Sequence, residues 1–78
     1  MSKEIVFRFP RNENEEVQFS IGEYKDKLYF DIRLFFKGRE DEWRPTKKGL
    51  TFSTGHFGEF EKGIEALSKT LLTREENQ

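Results

Sequence analysis

No cysteine occurs among the 78 residues, so neither a disulfide framework nor a thiolate metal site can hold this fold together. A single imidazole, His56, lacks the partners that a metal centre needs and reads as a surface or capping residue. No apolar run approaches the roughly 20 residues of a membrane span. Met1–Phe9 lacks the pattern of a signal peptide, and an intracellular, soluble protein without membrane contact is expected. There is no glycine-rich phosphate loop and no Ser/His/Asp set in a supporting motif. Glu40-Asp41-Glu42 lacks the ligand spacing of a calcium loop. Neither catalysis nor a cofactor nor a metal is therefore expected.

Apolar residues are also scarce, at 33%. What is present instead is phenylalanine, nine of it, which raises the aromatic share to 15%. Each buried ring removes a large apolar area from water, so a core remains feasible. A chain this short buries only about 60% of its unfolded surface, and oligomerisation is a common remedy.

The net charge of −1 argues against a partner rich in phosphate, but the charges are unevenly placed. Residues 1–23 hold three basic and five acidic side chains, a balance of −2. Residues 24–53 hold eight and five, a balance of +3, and residues 54–78 return to three and five. Between Arg44 and Phe52 there are three cations and no acid. Such a concentration of cations, interleaved with rings on a strand pattern, suits single-stranded nucleic acid: cations neutralise phosphates and rings stack on bases.

Four strands are expected. Ile5, Phe7 and Phe9 alternate with Val6 and Arg8 before Pro10 and the polar run Arg11–Glu16. Val17, Phe19 and Ile21 alternate with Gln18, Ser20 and Gly22. After a turn at Lys25–Lys27, Leu28, Phe30, Ile32 and Leu34 share one face and Lys27, Tyr29, Asp31, Arg33 and Phe35 the other. Gly38–Glu42 reads as a hairpin turn, and Trp43–Ser53 as a fourth strand broken near Pro45 and Gly49. From Ser53 or Thr54, both good N-caps, the period changes. Phe57, Phe60, Ile64, Leu67 and Leu71 recur at spacings of three and four, one helical stripe. Thr73–Gln78 reads as a frayed tail. The expected architecture is α+β: a four-stranded antiparallel curved sheet followed by one C-terminal helix (ββββα), in one domain 1–78 with its core at 5–72.

The order Phe30-Asp31-Ile32-Arg33-Leu34-Phe35-Phe36, then Glu40-Asp41-Glu42, then Arg44-Pro45-Thr46-Lys47-Lys48-Gly49-Leu50, then a helix, resembles the C-terminal domain of the transcriptional coactivator positive cofactor 4. The likeness spans roughly Val17 to Leu71. It implies a homodimer whose β-ribbons form channels for opposing single strands of DNA, as in melted duplex, with little dependence on sequence. It implies backbone contacts from Lys25, Lys27, Arg33, Arg44, Lys47 and Lys48, stacking by Tyr24 and Phe36, and close approach at Gly49. Phe57, Phe60, Ile64, Leu67 and Leu71 would serve the dimer interface. Three departures stand out. Phe36 occupies a position where the family commonly has tryptophan. Lys47 replaces an arginine and loses its planar fork. Trp43 is an additional ring beside the loop. The Ser-rich, charged N-terminal region of eukaryotic members does not appear, so a bacterial or phage relative is expected, located in cytoplasm or nucleoid; a eukaryotic one would be nuclear. Replication, recombination and repair stand beside transcription as roles, with proteins of those processes as partners.

Other readings of the same residues remain open. Lys27 and Arg33 also fit a solvated outer sheet face. Asp31 reads as an ion-pair partner rather than an acid catalyst. Phe36 keeps the alternation of Phe30 and Leu34, so it stacks on a base only if a twist or bulge near Lys37-Gly38 turns it outward. Trp43 also fits a cap on the core edge. Glu59, Glu61 and Glu65 fit an acidic helix surface for an adaptor that recruits polymerase or replication factors. RNA meets the same phosphate and ring contacts as DNA.

Overall fold

The computed structural model describes residues 2–76. Four strands, β1 (Ser2–Pro10), β2 (Glu15–Tyr24), β3 (Lys27–Lys37) and β4 (Trp43–Ser53), form one antiparallel sheet in sequence order. A short 3₁₀ turn, Thr54–His56, leads into helix α1 (Phe57–Glu76). The expected ββββα order is therefore the observed one. Ser53 takes the N-cap position with extended backbone but makes no side-chain cap. Helix α1 continues through Glu76, so Thr73–Glu76 are helical rather than a tail; residues 77–78 lie outside those described.

The β2–β3 turn is tighter than expected. Tyr24 pairs with Lys27, which leaves only Lys25 and Asp26 between the strands. Both take left-handed backbone, φ 52° and 65°, the form whose twist matches that of the flanking strands. Two irregularities interrupt the ladders. On β1 the register shifts between Ile5 and Phe7, where Val6 is an extra residue. On β4, Thr46, Lys47 and Lys48 stand opposite the single Leu34. That bulge is the break expected near Pro45 and Gly49.

Cross-strand partners share a face, and the register sorts the sheet into two. One face carries Phe7, Phe9, Val17, Phe19, Ile21, Phe30, Ile32, Leu50 and Phe52. It holds two ring clusters, Phe7–Phe9–Phe19 and Phe30–Phe52. Phe57 and Phe60, from the first turn of α1, pack on Phe30 with ring centroids at 5.3 and 5.5 Å. Beyond that turn α1 leaves the sheet, and Ile64, Leu67, Leu71 and Leu72 are each more than half exposed. The opposite face carries Glu16, Gln18, Ser20, Gly22, Tyr29, Asp31, Arg33 and Phe35, and it is grooved. Along β2 it is these polar residues that are buried, whereas Val17 and Phe19 are half-buried and Ile21 exposed.

Buried apolar residues are few: Phe30, Leu34 and Phe35 among the described residues. The Cα radius of gyration is 15.1 Å, against about 11–12 Å for a compact domain of this length.

Candidate nucleic-acid interface

The grooved face is organised around Asp31, whose residue surface is only 3% exposed. Arg33, two residues along β3 on the same face, grips it with a fork: Nε donates to Oδ2 at 3.2 Å and Nη2 to Oδ1 at 2.9 Å. The Thr51 hydroxyl on β4 donates to Asp31 Oδ1, and Lys3 Nζ on β1 lies 3.9 Å from Oδ2. Burial pushes the Asp31 pKa up. The hydrogen bonds from Arg33 and Thr51, with the charges of Arg33 and Lys3, outweigh it and hold the carboxyl below its ordinary 3.8. The Arg33 pKa is raised chiefly by its hydrogen bond to Asp31.

Arg33 also links this network to the β4 bulge. Its Nη1 donates to the Thr46 carbonyl at 2.9 Å, and its Nη2 to the Thr51 hydroxyl at 3.1 Å. Thr46 plugs the bulge from inside: its hydroxyl donates to the Leu34 carbonyl at 2.8 Å and accepts from the Lys48 amide at 3.0 Å. Gly49 is required by the same arrangement. A Cβ there would meet the Ile32 carbonyl at 2.8 Å and the Arg33 stem at 2.9 Å. Its lack of a side chain makes room for Arg33.

The six expected cations fall into two groups. Lys25, Lys27, Lys47 and Lys48 are exposed and, among the described residues, form no ion pair. Lys25 lies over the Tyr24 ring, 5.3 Å from its centroid. Arg33 and Arg44 are engaged, Arg33 with Asp31 and Arg44 with Glu42 at 2.7 Å. The backbone amide of Glu42 itself, then Arg44 and the Glu40 amide, which donates to Glu42 Oε1 at 2.9 Å, hold that exposed carboxyl below its usual range, the Glu42 amide contributing most.

The two expected stacking rings are not brought together. Tyr24 pairs with Lys27 at one end of β3, and Phe36 pairs with Glu15 and Arg44 at the other. Phe36 keeps the alternation of Phe30 and Leu34; the fault in the ladder lies opposite Leu34 and not at Lys37-Gly38. Phe36 is nonetheless 40% exposed, because α1 does not reach it. Trp43 pairs with Lys37, whose Nζ lies 5.4 Å from the indole centroid. On the helix, Glu59 and Glu65 are paired with Lys62 and Lys69, which reduces the net acidity expected for an adaptor surface.

Sequence reasoning missed Lys3, Tyr29 and Thr51, which line the groove with Tyr24, Lys27 and Arg33. Tyr29 was detectable: once the turn is two residues long, pairing Tyr24 with Lys27 places Gly22 opposite Tyr29. Lys3 was not, since simple alternation along β1 assigns it to the side of Phe7 and Phe9.

A twisted antiparallel ribbon carrying unpaired lysines beside a groove of rings and cations defines a small ββββα protein with a surface suited to polyanions. Residues 11–63 match the family described as Transcriptional Coactivator p15 (PC4), and the chain belongs to that family. A PC4 homolog from Burkholderia pseudomallei has the same fold, with a TM-score of 0.79 in its orthorhombic crystal form, 19% identity, and coverage of 86% of this chain and 90% of that one. The tetragonal form gives 0.80, with 98% of that chain covered. The bacteriophage T5 homolog of the eukaryotic coactivator PC4, implicated in recombination-dependent DNA replication, is 26% identical over 95% of this chain and 84% of its own, with a TM-score of 0.67. No curated protein matches the chain.

Proposed function

We propose that this protein binds single-stranded DNA as a homodimer, with little dependence on sequence, in replication and recombination or in transcription. The observation that carries this reading is the set of unpaired exposed cations, Lys25, Lys27, Lys47 and Lys48, beside a groove that also offers aromatic rings. Each such lysine neutralises a phosphate and releases a counterion, and unpaired bases stack on the rings. Arg33 acts mainly as a brace: its fork is committed to Asp31, Thr46 and Thr51, so it fixes the bulge that presents Lys47 and Lys48. Arg44 reaches a phosphate only by releasing Glu42, and Gly49 serves by accommodating Arg33. Tyr24 lines the groove and Phe36 stands on the opposite face, so the two rings stack at separate points of the strand's path.

The homodimer is supported by what one chain leaves open. Ile64, Leu67, Leu71 and Leu72 project beyond the sheet, and Phe7 and Phe9 remain exposed on the helix face. A second copy lets each cover the other. Phe60 and one side of Phe57 already pack on Phe30, so the interface centres on Ile64, Leu67 and Leu71, with Phe57, still 46% exposed, at its edge. The role in replication is supported by the T5 relative, and the role in transcription by the family description.

The test is fluorescence anisotropy of a labelled 20-mer single strand at low and moderate salt, with duplex and an RNA strand of the same sequence as competitors. Salt-sensitive binding that favours the DNA single strand is expected. Lys47→Ala with Lys48→Ala lowers the slope of log affinity against log salt by about 1.4. Absence of binding at low salt refutes the reading, and a winning RNA competitor redirects it to RNA.

A further inference from the structure

We propose that Tyr29 and Lys3 complete a nucleotide-sized subsite in the groove, Tyr29 stacking on one unpaired base and Lys3 contacting a flanking phosphodiester. This rests on the single-strand reading above and extends it to residues outside the cation row.

The groove has a volume of about 560 Å³, within the range of ordinary small-molecule sites. Tyr29 lies at its floor, between Gly22 on β2 and Ser53 on β4. Both neighbours are small, so neither walls in the ring. A Cβ at Gly22 would fall 2.3 Å from the Tyr29 Cζ and 2.4 Å from its Oη. The phenol therefore lies across the bare backbone of Gly22. An aromatic ring supported from beneath and flanked by small residues is a stacking platform already in position, so little ordering is lost when a base arrives.

Lys3 arrives from β1. It pairs with Gly22, and the extra residue Val6 places it on the grooved face while Phe7 and Phe9 face the helix side. Its side chain is 44% exposed, and its nearest carboxylate, Asp31, is already held by Arg33 and Thr51. The groove thus gathers Lys3, Lys27 and Arg33 against one carboxylate, a positive balance beside an aromatic floor. A phosphodiester and its base together match that combination; a free anion would leave the ring unused.

The experiment uses the full chain with two labelled 20-mers, one of thymidines and one of abasic sites on the same backbone. Tyr29→Leu is expected to weaken thymidine binding about tenfold and to leave the abasic strand unchanged. Tyr29→Phe keeps the ring and behaves as wild type. Lys3→Ala lowers the salt slope by about 0.7 on both strands. Equal loss on both strands in Tyr29→Leu, or an unchanged slope in Lys3→Ala, overturns the subsite. Wild-type protein that binds neither strand refutes the parent reading and this one with it. Wild-type binding that responds to Lys47→Ala with Lys48→Ala, but not to changes at Tyr29 and Lys3, removes the subsite alone.

Discussion

The two faces of the sheet invert the usual division between polar surface and apolar core. On the grooved face Glu16, Gln18, Ser20 and Asp31 are buried, and among the described residues no buried side-chain polar atom lacks a hydrogen-bond partner. On the helix face phenylalanine, leucine and isoleucine lie open, Phe7 at 60% exposure and Leu67 at 61%. One chain completes its polar network and leaves its apolar surface unfinished. Polar satisfaction needs direction and can be met locally, by a fork and two hydroxyls. Apolar burial needs area, and 78 residues supply too little of it.

The largest effect should come from breaking the unfinished side. Leu67→Glu places a charge where the second copy is proposed to pack, with an expected cost of about 3 kcal/mol or more. Sedimentation should show monomer or unfolded chain, and the wild-type melting temperature should rise with protein concentration, as it does for linked folding and assembly. A concentration-independent melt together with an unaffected Leu67→Glu variant would mean that the apolar face is not covered by a second copy.

Breaking the finished side comes next. Asp31→Asn leaves the Arg33 guanidinium without its counter-charge, with an expected loss of about 2–3 kcal/mol in denaturant unfolding. The sign with pH follows from the depressed Asp31 pKa. Its contribution is complete above the ordinary carboxylate value, about 3.9, and is lost as pH falls through the lower folded value. Wild type should therefore lose this increment under acid, and Asp31→Asn should lack that part of the acid dependence. Parallel pH curves for the two proteins would remove Asp31 from the account.

A smaller effect sharpens the link between brace and bulge. Thr46→Val removes the hydroxyl that joins the Leu34 carbonyl to the Lys48 amide, at about 1 kcal/mol. Single-strand affinity should fall several-fold while the salt slope stays constant, because both lysines remain but are less well placed. A changed slope would show that Thr46 acts on charge contacts themselves.

The sequence made much of this legible. Period-two alternation at Val17–Ile21 and Leu28–Leu34 and the stripe Phe57–Leu71 are local patterns, and they marked β2, β3 and α1 correctly. The basic segment Arg44–Lys48 was legible because three cations without an acid stand out in any register. What stayed hidden depended on partners distant in the chain. Arg33 and Lys47 are both cations on paper; only the fork to Asp31 separates brace from free charge. The alternation of β2 marked the strand but not which side is covered, since burial is set by the groove's own walls and not by residue polarity. The helix runs past Leu72 because Thr73–Glu76 contain neither glycine nor proline to break it.

The two bulges can be counted as insertions into a code with a period of two. Lys47 and Lys48 make an even insertion, so Pro45 and Arg44 return in frame and face the sides they would have faced without it. Val6 is an odd insertion and acts as a frameshift: everything on β1 before it is read on the opposite side from everything after. Lengthening or shortening β4 by a pair of residues at Thr46–Lys48 leaves the rest of the ribbon in phase. Deleting Val6 alone would turn Lys3 out of the groove and onto the phenylalanines, so a single half-exposed residue fixes which side of the sheet the first strand serves.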